Sequence, residues 1–182
     1  MSHSNTARML AYWEARCAGG NGPPRSSIDP LGFADIVSQV FMIGRERAGV
    51  FPFRLAGALL DDLHRGPLMG LSFTHLWAAD DRPRLQAVIE ASLRNQAPLL
   101  LHAQGRSIDG NLARIEILLA PLASGKGGIE RLLGFYQPVS PLFRLKDQKI
   151  ERLFLLEAVL AGAVEAATPV MRLASLDGRR VA

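Results

Sequence analysis

The chain has 182 residues, 48% hydrophobic and 21% charged, a balance that suits one globular domain with a real core and excludes disorder, collagen and a coiled-coil rod. Its single cysteine, Cys17, forbids an internal disulfide and any zinc site that needs two thiolates, which fits a reducing cytoplasm. Twenty-one Lys and Arg against seventeen Asp and Glu leave +4, but the arginines lie singly or in pairs such as Arg45/Arg47 and Arg82/Arg84, without a reading helix or aromatic strand for nucleic acid.

The first residues lack the apolar core of a signal peptide. The longest apolar run, 153–163, contains Glu157 and falls well short of the ~20 residues of a membrane span. The expectation is a soluble cytoplasmic protein.

In chain order, Met9, Trp13 and Cys17 stand at i, i+4 and i+8, which predicts a helix over 6–17 ended by the Gly-rich 19–24 stretch. Asp29-Pro30 opens a short helix over 30–36, with the carboxylate as cap and proline in the first turn. Residues 40–44 and 50–56 then read as a hairpin with Phe51, Phe53 and Leu55 on one face. Pro52, which has no N–H for a ladder, makes the second strand an edge. Short helical pieces follow at 57–65 and 72–77, and a longer helix over 81–95 carries Leu85, Val88, Ile89 and Leu93 as its stripe.

Three strands are predicted at 99–108, 112–122 and 130–139, the first two joined by the turn signal Asp109-Gly110 and the last two by Ser124 to Gly128. Residues 142–165 are expected to form a C-terminal amphipathic helix. The tail from Thr168 finds no place, although Val170 to Leu173 look strand-like. A hairpin, a helical insertion and a three-strand meander make one five-stranded antiparallel sheet with helices on one face, an α+β domain.

Several residues go beyond element order. Tyr12-Trp13, Arg25 with Ile28-Asp29-Pro30, Phe53 to Gly57, Gly70 with Phe73 and Leu76-Trp77, Glu116 with Pro121-Leu122, and Leu133-Gly134 resemble the pattern of a PAS-type family (PAS_5-like), long listed in alphaproteobacteria as a domain of unknown function. The resemblance covers about residues 10–138. It implies a non-enzymatic sensory or regulatory domain at 25–139, preceded by a helix and linker at 1–24 and followed by a helix and tail at 140–182. It implies signalling through protein contact, with flanking helices that make homodimers. No output module lies in the sequence given.

Such a fold holds small molecules between the inner sheet face and the short helices. The candidate ligand-binding set is Phe53, Leu55, Leu59, Leu63, Phe73, Leu76, Trp77, Leu101, Ile117 and Phe135, with Leu85, Ile89, Ile115 and Leu133 beside them. The plain alternative is that these side chains are simply core. Trp77 has most to offer, since a buried indole N–H needs a partner and the ring can stack on a planar ligand. The cofactor is unknown.

Of the histidines, His64 and His75 are the candidates for a haem ligand on a helix over the sheet, and the surface or the core is the simpler place for each; His3 falls in a frayed terminus and His102 in a strand. Cys17 stands in the wrong place and context for the flavin-photochemistry branch. Asp61-Asp62 and Asp80-Asp81 are adjacent, so a helix points them apart and they do not form an acid–base pair. Arg54 and Glu116 are expected to close structural bonds. The alternatives to a sensory domain are a small α+β enzyme of the cone-shaped isomerase type and a basic nucleotide or nucleic-acid binder.

Overall fold

The computed structural model describes residues 2–17, 22–123 and 130–160. The 124–128 connection and the tail beyond 160 lie outside them. Helix α1 (Ser4–Glu14) comes first, followed by a short 3-10 turn (Arg25–Ser27) and a longer 3-10 segment (Pro30–Gln39). Strands β1 (Val40–Gly44) and β2 (Phe53–Ala56), helix α2 (Ala58–Leu63), a 3-10 turn (Phe73–Leu76) and helix α3 (Arg82–Asn95) come next. The chain then runs through β3 (Leu99–Ser107), β4 (Leu112–Leu122), β5 (Arg131–Pro138), a 3-10 turn (Leu142–Leu145) and β6 (Ile150–Leu160). Among the described residues no helix is long and apolar enough to cross a membrane.

The strands form one antiparallel sheet in the order β2-β1-β5-β4-β3-β6. The 40–44 hairpin, the meander and the edge position of β2 follow the sequence reading. Asp29 caps its segment as expected, its Oδ1 accepting the Leu31 N–H at 2.9 Å with Pro30 in the first turn. Gly110, at φ +83°, turns the β3–β4 hairpin in a conformation open to glycine.

The C-terminal segment corrects the expectation of a helix. Residues 142–149 turn, and β6 then adds a sixth strand antiparallel to β3, from Ser107↔Ile150 to Leu99↔Leu160. The apolar residues at 145, 150, 153 and 155 satisfy a helical stripe and a strand face about equally well. The free edge of β3 decides between them, because its unpaired amides and carbonyls bond better to a strand than to a helix. Two register shifts, at His102/Ala103 and Arg106/Ser107, let an irregular pattern keep its apolar residues inward.

The sheet separates two cores. On one face α2, α3 and the 3-10 turns bury Phe41, Phe53, Phe73, Trp77, Leu85, Ile89, Leu101 and Ile117 with Leu145, Ile150 and Leu153 from the last segment. On the other, α1 and the 30–39 segment bury Met9, Trp13, Phe33 and Ile36 against Met42, Leu118, Leu133 and Phe135.

Candidate functional site

The expected site divides between those faces. Phe53, Leu63, Phe73, Trp77, Leu101 and Ile117 come together beneath the helices, with Leu85, Ile89 and Ile115. Leu59 and Leu76 pack partly buried at the margin. Leu55 does not join them: β1–β2 pairing shifts between Met42 and Ile43, so Phe53 faces Ile43 while Leu55 faces Met42. A bulge at Arg54 thus interrupts the alternation and leaves Leu55 45% exposed on the opposite side. Phe135 and Leu133 also belong to the α1 face. In β5 the residues Leu132, Leu133, Phe135 and Tyr136 are all buried, and a strand covered on both sides has no polar phase to show which pair points where.

The helix-face residues lie against one another. Phe41–Phe53, Phe41–Phe73, Phe53–Phe73 and Phe73–Trp77 centroids are 5.5 to 5.9 Å apart, in stacked, tilted and edge-to-face contacts. Gly134 permits this packing, since a Cβ there would stand 2.2 Å from the Phe41 ring. Trp77 is fully buried, yet its indole Nε1 has no hydrogen-bond partner among the described residues. A buried N–H left this way costs roughly 1–3 kcal/mol, which makes it the one polar handle of the aromatic cluster.

The two helix-borne histidines differ. His75 is exposed. His64 is buried at the end of α2, where its Nε2 lies 3.2 Å from the Tyr136 hydroxyl. Burial drives the imidazole down to about 4, against a smaller opposing effect of its backbone bond to Ile150. With one ring nitrogen donating to that backbone, the other accepts from Tyr136, whose own pKa burial raises. His64 is therefore a neutral crosslink among α2, β5 and the start of β6.

The acidic pairs serve as staples. Asp61 accepts the Leu68 N–H at 3.0 Å and Asp81 the Leu155 N–H at 2.9 Å, the second holding the outer edge of β6. Arg54 pairs with Glu46 at the surface and does not meet Glu116. Glu116 lies buried on β4, facing α1, and accepts the backbone N–H of His3 at 2.9 Å. His3 in turn caps α1 through its ring, which accepts from Asn5, so this end of the chain is anchored and not frayed. His102 stands 3.8 Å from Glu116 and 4.0 Å from Glu157, across three neighbouring strands. The sequence showed a polar residue within an apolar strand at Glu116; its helix partner, 113 residues away, was not visible there.

α1 docks through defined bonds. Trp13 Nε1 donates to the Pro121 carbonyl at 2.7 Å in buried surroundings, and the Tyr12 hydroxyl bonds both the N–H and the carbonyl of Asp29. Those bonds use the Tyr-Trp, Asp-Pro and Pro-Leu pairs, three of the pieces that carry the family resemblance. Cys17, just past α1, packs at the α1-side cluster, across the sheet from Trp77, where burial and nearby Glu14 raise its thiol pKa. The thiol that flavin adduct chemistry needs is not on the helix side, because Cys17 packs at the α1-side cluster across the sheet.

Five of the six strands, in the order β2-β1-β5-β4-β3, with α2 and α3 across one face, make the PAS-type arrangement of a sensory and regulatory signalling domain. The family model described as "PAS domain", PAS_5, matches residues 1–137, and the chain belongs to that family. β6 falls beyond the matched segment. No curated protein matches the chain. Among solved structures, it is similar to an RNA-binding light-oxygen-voltage receptor, with 16% identity and a TM-score of 0.48 over 68% of this chain and 36% of that one. The similar region thus spans about a third of that receptor. It is also similar to a light-oxygen-voltage domain studied with a flavin analogue, at 18% identity and a TM-score of 0.48 over 66% of this chain and 93% of that one. A Rhodobacter sphaeroides LOV protein gives 13% identity and a TM-score of 0.45 over 65% of this chain and 72% of that one.

Proposed function

We propose that this domain signals in the cytoplasm through protein contact, as a homodimer joined at α1 and the adjoining sheet face, without catalysing a reaction. The observation that carries this reading is the half-covered outer face of the sheet. α1 lies over β4 and β5. Among the described residues nothing lies over the outward positions of β6, where Leu156 and Val159 are 47% and 44% exposed. The face bears Arg106, stacked on Phe154, toward one end and Glu157 toward the other. A second copy turned about a two-fold axis sets each acidic end against a basic one, the self-complementarity that an isologous interface requires.

Light scattering on the full chain at ~50 µM, a concentration that populates dimers of micromolar affinity, tests it. The expected mass is twice 19.8 kDa, and Leu156→Glu with Val159→Glu restores the monomer. A monomeric wild-type chain removes the dimer.

Trp77 supports a second reading, a small ligand whose acceptor atom meets the indole N–H. Native mass spectrometry, with an absorption spectrum through the visible, tests it. Bound mass that disappears in Trp77→Phe supports a ligand at this atom, and a bare polypeptide mass removes it.

A further inference from the structure

A groove of about 460 Å³ opens between the α2–Phe73 loop and the start of β6. Its volume falls within the range that takes small organic ligands, roughly 300–1,000 Å³. Arg65, Arg82, Arg152, His64 and His75 line it, with Glu151 as its one carboxylate. Glu151 is already engaged, its Oε1 3.3 Å from Arg65. Arg82 reaches back to donate from Nε to the Trp77 carbonyl at 3.2 Å, and Arg152 donates to the Glu151 carbonyl at 2.9 Å. Those bonds orient the two arginines, and neither has a carboxylate partner among the described residues.

The neighbouring grooves are built differently. Beside α3, Arg45 is held by both Glu90 and Glu130, so the acids in that groove match its cations. On the outer sheet face, Glu116 and Glu157 flank His102. Like charges gathered in a concavity repel one another unless an anion enters, and a guanidinium presents its donors in the planar fork that phosphate and carboxylate oxygens match. The floor is rigid, because His64 is fixed by Tyr136 and Ile150.

We infer that this groove is a binding site for a small organic oxyanion, phosphate or carboxylate, gripped by Arg82 and Arg152. Its walls belong to the loop that follows α2, the Phe73–Leu76 turn, the N-terminal end of α3 and the start of β6, so an occupant would tie the helical layer to the strand that follows the family-matched segment. The inference stands apart from the dimer: its readout is anion binding, whatever the oligomeric state.

Isothermal titration of the full chain with pyrophosphate and, separately, with citrate is the test. Saturable binding of either supports the site, and which of the two binds assigns phosphate or carboxylate. Arg82→Gln and Arg152→Gln are each expected to weaken binding about tenfold or more, in line with the loss of a charge-assisted contact. Arg94→Gln, in the groove beside α3, is the control and leaves affinity unchanged. Thermal midpoints within a few degrees of the parent show that the variants fold. Failure of both anions to saturate by about 10 mM, an affinity too weak for a specific site, overturns the inference. Equal loss in all three variants also overturns it, since a diffuse basic surface then accounts for the binding.

Discussion

The two faces of the sheet are closed by different means. Under α2 and α3, aromatic and aliphatic side chains from both layers interlock in the larger of the two cores, and bonds such as His64–Tyr136, Asp61–Leu68 and Asp81–Leu155 secure its margins. Under α1 a smaller apolar patch is fixed by directional bonds: Trp13 to Pro121, His3 to Glu116, Tyr12 to Asp29, and the Arg8–Asp35 ion pair. The first face resists any change of volume, because packing energy grows with every buried contact. The second buries a smaller apolar cluster, so α1 is expected to open before the helices of the other face, and amide exchange tests that order.

Substitutions can break that contrast. Trp77→Ala empties the centre of the aromatic cluster and is expected to cost ~3–5 kcal/mol of global stability in chemical denaturation. A loss below about 1 kcal/mol would mean the cluster packs loosely and the faces do not differ. Acid attacks the same face next. His64 titrates near 4 in the folded chain and near 6.5 when unfolded, so the unfolded state binds the extra proton first. Stability is full above pH 6.5 and falls as pH drops toward 4, by about 3 kcal/mol in all. His64→Gln flattens that part of the pH profile if the imidazole is its source.

On the α1 side the expected effects are smaller and local. Glu116→Ala removes the acceptor for the His3 N–H and is expected to cost about 1–2 kcal/mol. Amide exchange accelerates over 4–14 while α3 and β4 remain protected. Uniform acceleration across the sheet would show that α1 does not open alone. Trp13→Phe keeps most of the ring, loses the bond to Pro121, and costs about 1 kcal/mol in the same local measurement. Arg8→Ala, at a solvent-screened surface pair, is expected to give the smallest change of the series, one not resolved by chemical denaturation.

Much of this arrangement is legible in the sequence, and the gaps have physical causes. Strand β4 and the hairpins can be read from alternation and turn residues, and α1 from its Met9–Trp13 spacing. The last strand is not legible, because residues 150–160 fit two periods and only the free β3 edge settles which one forms. Of the ten expected ligand-binding residues, the structure gathers Phe53, Leu63, Phe73, Trp77, Leu101 and Ile117 under the helices. It turns Leu55 away through a one-residue bulge and Phe135 through a strand covered on both sides. The arginine groove escapes detection for another reason: residues 65, 82 and 152 are scattered along the chain, and only the fold makes them neighbours.

Strand order also sets a timetable for synthesis. The β1–β2 hairpin completes early, but the partner on the free side of β1 is β5, where Val40 lies beside Phe135. A ribosome adding about 5–20 residues per second leaves that hairpin waiting on the order of 5–20 s, with Phe41 and Ile43 unshielded. In this interval the apolar side chains of β1 remain open to solvent, and Pro52 keeps its neighbour strand a poor template for other chains. Arrival of β5 closes the sheet around β1, and β6 then seals the β3 side as the last described piece of the polypeptide to emerge.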